Sequence, residues 1–515
     1  MKLNSRRVAL GTFIGVEAAS LVFFVRIGRF AWFSQDEWDF LAARQAGDLG
    51  DLFRPHNEHW STLPILAFRL LWQLFGLRTY VPYLVLVVTL HLLVAALLRM
   101  VMRRAGVGPW FATAGATAFA LFGSGWFNIE YSFQSAWCAT LALGLGYLML
   151  VDHSGPVDRR DWIGLGLGLA ALMCSGVATT MIVVVGVAVL VRRGWRPALL
   201  HAGTLGAIYV FWFATVGHQA YTRRASLSEA FRFTARELSG TFGAIGHLWG
   251  VGAALFIMLC IGLTLAWHSL RGAELRERAA VPAALLFGAV TFVFVTGLGR
   301  GADFAMGTPP GPASRYRYVA AVLILPALAV AAVALSRRSK VLAPIALALL
   351  LVGVPGNVRV AADNAPDWRV YKQLILSAPR LPILAAAPRS VEPDRFGNQW
   401  LTLGWMRDGI ASGRIPKPAV LTPANVATYS LYFALQAAPP RREYPCVTLH
   451  RAVIRVLTAG RTLALKSAVS VRYVPVGGVA SSARLLQPGN YTAVAGPLRL
   501  RLSPASPRDT PVVCG

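Results

Sequence analysis

The chain has 515 residues, 56% of them hydrophobic and only 14% charged, with a mean hydropathy of +0.54. Soluble domains carry roughly 25% charged residues, so an ordinary soluble globule is excluded and a polytopic membrane protein is expected. The formal charge of +27 comes from 50 Lys and Arg against 23 Asp and Glu. The basic residues fall in short clusters between apolar runs, a topology signal rather than a groove for a polyanion, so no nucleic-acid partner is expected.

In chain order, Arg6 and Arg7 precede an apolar run at 8–25 that approaches span length, and they place the N-terminus in the cytoplasm. No small-x-small cleavage site follows before Trp32, which argues against a removed signal peptide. Glu17 is an acid inside this run. Two polar runs come next, Phe33-Ser-Gln-Asp36-Glu37-Trp38-Asp39 and Arg54-Pro-His56-Asn-Glu58-His59-Trp60, which concentrate carboxylates and imidazoles in an acid-poor chain. The apolar stretch 63–75, broken by Arg69 and Gln73, suits an interfacial helix lying on the bilayer surface.

Further spans are expected at 80–98, 110–123 and 136–151. The run 163–191 is too long for one span, and Cys174-Ser175-Gly176 divides it into two short ones. Spans at 199–216, 241–267, 281–298, 319–335 and 341–354 complete a set of about 11. Basic clusters fall on the inner side in this alternation. Arg223, Arg224, Arg232, Arg236, Arg300, Arg315 and Arg317 land outside, against the rule. The Arg- and aromatic-rich segment 219–240 is expected on the outer surface, and 299–318 as an outer loop.

From residue 355 prolines multiply and no run is long enough to span. Residues 365–415 read as mixed helix and loop, with 401–408 an amphipathic piece, and short alternating strands follow from Cys446. The expected organisation is a transmembrane domain over 1–354 and an extracytoplasmic, mixed or β-rich soluble domain over 355–515. That second domain carries 20 basic and 7 acidic residues, so its surface favours an anionic lipid or polymer, with plain solubility as the competing reading. Of the five cysteines, Cys138, Cys174 and Cys260 lie in apolar runs as small hydrophobes. Cys446 and Cys514 lie in the outer region and are able to bridge in an oxidising compartment.

Asp36 and Glu37 stand just beyond the first span, at head-group depth. A carboxylate there can act as general base toward a sugar or lipid hydroxyl, or hold a divalent ion that neutralises a phosphate leaving group. The competing reading is a helix start with acids in its first turn. Trp38, Trp60 and Trp126 offer faces for a sugar ring. His56 and His59, three apart, would share a helical face. With Glu58 between them they read as polar contacts to substrate rather than a zinc site, or else as a cap for the interfacial helix. Glu130, with Gln134 nearby in the second outer loop, would orient an acceptor or cap the next helix. Ser314-Arg315-Tyr316-Arg317 sets two guanidinium groups at the mouth of a span, with Arg300 in the same loop. Such forks match phosphate oxygens, and snorkelling to head groups is the alternative.

Gln35-Asp36-Glu37-Trp38, Pro55-His56-Asn57-Glu58-His59, Glu130, Ser314-Arg315-Tyr316 and the paired short spans about Cys174-Ser175-Gly176 together resemble the GT-C superfamily of integral-membrane glycosyltransferases. The resemblance implies inverting transfer from a polyprenyl-phosphate-linked sugar donor to a cell-envelope glycan, lipid or protein acceptor on the outer face of the plasma or inner membrane. It makes Asp36 the catalytic base or metal-proximal acid, with Glu37 second, and Arg315 the contact to the donor phosphate. The motif here is Asp-Glu rather than Asp-Asp, which leaves open which acid carries the role. No cofactor is fixed, and a magnesium or manganese ion at Asp36 or Glu37 stays open. Two other function classes compete. A lipid-linked sugar flippase or transporter would show midplane acids or a two-halves repeat, and Glu17 alone fits that. A non-catalytic envelope glycan-binding scaffold would leave Asp36 without a role.

Overall fold

The computed structural model describes residues 2–45, 47–219, 225–269, 272–305, 311–394, 397–417, 419–439, 446–506 and 509–514. Arg223 and Arg224 lie outside the described residues. The fold is mostly helical with a C-terminal β-sheet region. Among the described residues, eight helical stretches are long and apolar enough to cross a membrane.

The first span lies in α1 (Lys2–Ile27), and a short α2 (Leu49–Phe53) sits in the following loop, capped by Asp48, whose side chain accepts from Gly50 N–H at 2.8 Å. The expected interfacial helix is α3 (Thr62–Phe75). Next come α4 (Val81–Arg104), α5 (Pro109–Ala120), α6 (Trp126–Glu130) and α7 (Ser135–Val151). The divided run is α8 (Arg159–Leu172) and α9 (Ala178–Arg193), with its break around Cys174-Ser175-Gly176. The α5, α8 and α9 helices have 12, 14 and 16 residues. At about 1.5 Å per residue they fall short of a hydrocarbon core of roughly 30 Å. They are the three expected spans that the eight long helices do not include.

α10 (Trp195–Ala198) runs through a π-turn into α11 (Thr204–Thr215). The expected surface segment at 219–240 and the start of the span at 241–267 are instead joined in α12 (Leu227–Gly246). Ser226 and Glu229 form a reciprocal capping box at its N-terminus. α12 stops because His247 adopts φ 55°, and Gly250 follows at φ 77° before α13 (Val251–Ser269) begins. α14 (Gly272–Ala305) and α15 (Gly311–Ser336) absorb most of the expected loop at 299–318, so Arg300 closes one helix and Arg315–Arg317 open the next. α16 (Leu342–Leu351) and α17 (Val354–Asn364) follow.

The chain divides into two compact units: Met1–Ala31, Arg44–Leu70 and Tyr80–Asp367 form the first, and Trp32–Ala43, Leu71–Thr79 and Trp368–Gly515 the second. In the first, α15 is the central helix. It packs on α4, α5, α12, α13, α14 and α16, and Tyr318 through Leu325 are at most 1% exposed. A helix apolar all round is stable only when covered on every side. Close approach helps here: a Cβ at Gly262 of α13 would lie 2.5 Å from Ala331 of α15.

The second unit contains α18 (Arg369–Ser377), α19 (Leu403–Ala411) and α20 (Pro423–Ala434). Its strands are β1 (Leu435–Ala438), β2 (Cys446–Thr448), β3 (Val453–Leu457), β4 (Thr462–Leu465), β5 (Val469–Tyr473), β6 (Arg484–Leu486), β7 (Gly489–Ala493), β8 (Leu498–Pro504) and β9 (Val512–Cys514). They form two antiparallel sheets, in orders β1-β7-β4-β9-β2 and β3-β8-β5-β6. In β8 the period of two is explicit, since Leu498, Leu500 and Leu502 are fully buried while Arg499 and Arg501 face out. Register pairs Cys446 with Cys514 across β2 and β9, and a disulfide joins them.

Candidate functional site

In the first unit, the expectation that His56 and His59 share a helical face is replaced by a tight turn. The two residues exchange backbone N–H···O bonds of 2.9 Å each, and Asn57 takes φ 49°, a left-handed conformation that asparagine tolerates better than most side chains. The turn sends the rings to different neighbours. His56 is buried with its ring 5.0 Å from Phe133. His59 meets Trp137 edge-on at 6.1 Å, and its Nδ1 accepts from Gly176 N–H at 3.3 Å. That approach needs a glycine, because a Cβ at Gly176 would sit 2.9 Å from the same nitrogen. The α8–α9 break thus supplies a wall of the site.

Burial, then the positive charge of neighbouring His56, Arg315 and Arg300, pushes the His59 imidazole down to about 4 against the pull of Glu58. At neutral pH it is an uncharged ring whose Nδ1 accepts, which leaves the proton on Nε2. Glu58 pairs with Arg300 from the last turns of α14. Burial pushes the Glu58 carboxyl up, but His59 and Arg300 outweigh it and hold the group below its ordinary range.

Arg315 and Arg317, two residues apart on α15, point to different partners, as helical geometry requires. Arg317 pairs with buried Glu237 of α12 at 3.2 Å. Burial raises the Glu237 carboxyl, and Arg317 pulls it back. The Arg315 guanidinium lies over the rings of Tyr316, at 4.9 Å, and Trp137, at 5.9 Å, and donates to Tyr316 Oη at 2.8 Å. Among the described residues it has no carboxylate partner. Tyr316 is itself buried among Trp137, Phe233 and Phe292. His59, Arg315 and Tyr316 therefore converge around Trp137, a residue hidden in the sequence within an apolar run, with the Glu58–Arg300 pair next to His59 in the chain and His56 turned to Phe133.

Glu130 is buried at the end of α6, with neither carboxylate oxygen hydrogen-bonded among the described residues, and burial lifts it to about 8. It carries its proton at neutral pH. Gln134, four residues on, is also buried, and its Oε1 has no partner among the described residues. Trp60 is a packing residue: it stacks on Trp212 at 5.5 Å, and its indole N–H donates to Thr62 Oγ1 at 2.7 Å.

Asp36, Glu37 and Trp38 belong to the second unit. Glu37 is fully buried and folds back to accept from Ser34 N–H at 2.9 Å; Asp39 is 2% exposed, and Asp36 is half-buried, the most open of the three acids. Trp38 is 1% exposed, and its indole donates to Asn398 Oδ1 at 2.6 Å. Asn398 Nδ2 in turn donates to Asp394 Oδ2 at 2.8 Å, and the Tyr371 hydroxyl donates to the same oxygen at 3.0 Å. Trp405 packs between Trp38, 6.0 Å away, and Trp72, 4.9 Å away. The acidic run is thus pinned by Asn398, an amide in a connector that gave no local signal.

One His/Asp group among the described residues has metal-ligand spacing: His153, Asp158 and Asp161. Its Asp161 oxygens already accept from Arg193, His201 and Asp158 N–H, so the arrangement is an ion-pair network tying α8, α9 and the π-turn. Comparison with protein-family models and with curated proteins finds no match for this chain.

Proposed function

We propose that this protein is an integral-membrane glycosyltransferase of the GT-C type. It moves a sugar from a polyprenyl-phosphate donor to a cell-envelope glycan, lipid or protein acceptor on the outer membrane face. The observation that carries the reading is Arg315, a guanidinium lying over two aromatic rings, without an acid partner among the described residues, near the Glu58–Arg300 pair and a neutral imidazole. Such a group is preorganised for phosphate oxygens. Arg317, satisfied by Glu237, leaves the donor site and becomes a tie between helices. Protonated Glu130 is a hydrogen-bond donor suited to a sugar hydroxyl or ring oxygen.

In this reading Asp36, the most open acid of its run, removes the proton from the acceptor hydroxyl. The acceptor oxygen bonds to the anomeric carbon as the bond to the phosphate oxygen breaks, and polyprenyl phosphate departs with the electron pair, its charge met by Arg315. Inversion follows from a single displacement. The N-terminus is cytoplasmic and residues 355–515 lie outside, where a disulfide persists; this topology takes 11 crossings, the eight long helices plus α5, α8 and α9, each of the three completed by the turns that flank it.

The donor half of the reading is tested by binding of a polyprenyl phosphate to the purified protein. Arg315→Ala is expected to weaken it by at least tenfold, since a hydrogen bond to a charged group contributes about 1.5–3 kcal/mol. Unchanged affinity removes Arg315 from the site and this reading with it.

A further inference from the structure

An apolar crevice of about 400 Å³ opens between α13 and α14, which each pack on α15. Its size lies within the range of small-molecule sites. Ala266, Ala327 and Val330 line its depth, and exposed Ala283 stands on its open side with Trp267 and Phe287, both more than half exposed. Among the described residues, its charged lining groups are Arg278 and Arg337. Arg278 pairs with Glu274 in an exposed contact of 3.2 Å, and Arg337 has no side-chain partner among the described residues. A second cavity of about 370 Å³ shares Arg278 and is lined by Arg104, Arg160 and Arg192 with Asp152 and Glu277. Arg192 neutralises Asp152 there, and Arg160 is held by Asp158. The crevice and the polar cavity therefore meet at a guanidinium, with basic charge in excess.

The position along the helices matters as much as the lining. Arg278 precedes Arg300 on α14 by the same number of residues as Arg315 of α15 precedes Arg337, which directly follows that helix. At the helical rise, both separations are about 33 Å, the thickness of a bilayer's hydrocarbon core. The crevice thus sits at the opposite membrane face from Arg300 and Arg315.

We propose that the two adjoining cavities hold one anionic phospholipid, an acyl chain in the crevice and its phosphate on Arg278 and Arg337. An acyl chain matches an apolar slot open at its edge to exposed aromatic side chains. A phosphate, unlike a zwitterionic head group as a whole, gains from a surplus of guanidinium charge. The proposal is independent of sugar transfer, and its readout involves none.

The test is native mass spectrometry of the purified full chain, equilibrated with phosphatidylglycerol or phosphatidylcholine of identical acyl chains. Wild type is expected to retain about one phosphatidylglycerol in preference to phosphatidylcholine. The double variant Arg278→Ala/Arg337→Ala should retain it roughly tenfold less or worse, given the attraction of each basic residue to anionic lipid. Ala283→Trp, which fills the crevice, should lose both lipids. If these variants fail to fold, wild type still decides, because its phosphatidylglycerol retention should fall with added salt. Equal retention of the two lipids by wild type, unchanged retention in the double variant, or a lipid-free dimer covering the face would each overturn the proposal.

Discussion

Trp38 and His59 show how far one side chain's meaning depends on a distant partner. Trp38 reads from sequence as a ring for a sugar or an interfacial anchor, yet its indole is buried on Asn398, 360 residues away. Asn398→Ala would strand that indole N–H, and a buried donor left unsatisfied costs about 1–3 kcal/mol. Thermal unfolding of the purified variant should begin at lower temperature than wild type; an unchanged transition would mean that Asn398 does not anchor the run. His59 makes a prediction in pH. Its folded value of about 4 lies below the ordinary 6.5, so between those values the unfolded chain binds the proton and the folded chain resists it. Stability is therefore retained above pH 6.5 and declines as pH falls toward 4. A His59→Gln variant should show a flatter melting profile over that window. What the sequence did reveal at this scale was chemical type: acids, imidazoles and guanidiniums in the polar stretches between apolar runs. It did not reveal Trp137 or Asn398, because an aromatic in an apolar run and an amide in a connector carry no local pattern.

Element boundaries were legible where hydrophobic periodicity and breakers agreed, and misread where charge was taken for loop. The α8–α9 break at Cys174-Ser175-Gly176 and the short α3 follow from run length and interruption. Arg300, Arg315 and Arg317 instead extend helices, since arginine is a good helix former and each guanidinium here finds a carboxylate or aromatic partner. The α12–α13 division at His247 was hidden because no proline marks it. Asp161 is the residue on which the α8–α9–α11 corner depends. Burial pushes its carboxyl up, but hydrogen bonds from Arg193, Asp158 N–H and His201 outweigh that and hold it well below the usual carboxylate range. Its stabilisation is present above the ordinary pKa of a free Asp and fades as pH falls below it. Asp161→Asn leaves Arg193, 2% exposed, without its counter-charge. Breaking a buried pair costs roughly 3–5 kcal/mol, and denaturant unfolding of the purified variant should register a loss of that order. A loss below about 0.5 kcal/mol would mark the pair as incidental.

At the scale of the whole molecule, composition alone pointed to a mostly helical protein with several helices apolar enough to cross a membrane, eight of them among the described residues, and the change in composition near residue 355 announced the β-rich region. That Trp32–Ala43 and Leu71–Thr79 belong with that region was not announced, because a compact unit assembled from separated segments leaves no composition shift. The consequence is functional. The run bearing Asp36 is built on the C-terminal unit through Asn398 and Trp405, while Arg300 and Arg315 are built on the helical unit around Trp137. In the proposed mechanism proton removal belongs to the first and phosphate binding to the second, so the two roles should separate under substitution. The direct measurement is sugar transfer from a panel of polyprenyl-phosphate sugars by purified wild type and Asp36→Asn, with donor binding followed in parallel. The account predicts that Asp36→Asn binds donor like wild type and transfers at least about 100-fold more slowly, the lower range for losing a general base. Transfer by Asp36→Asn at the wild-type rate, or no donor consumed by wild type, would contradict it.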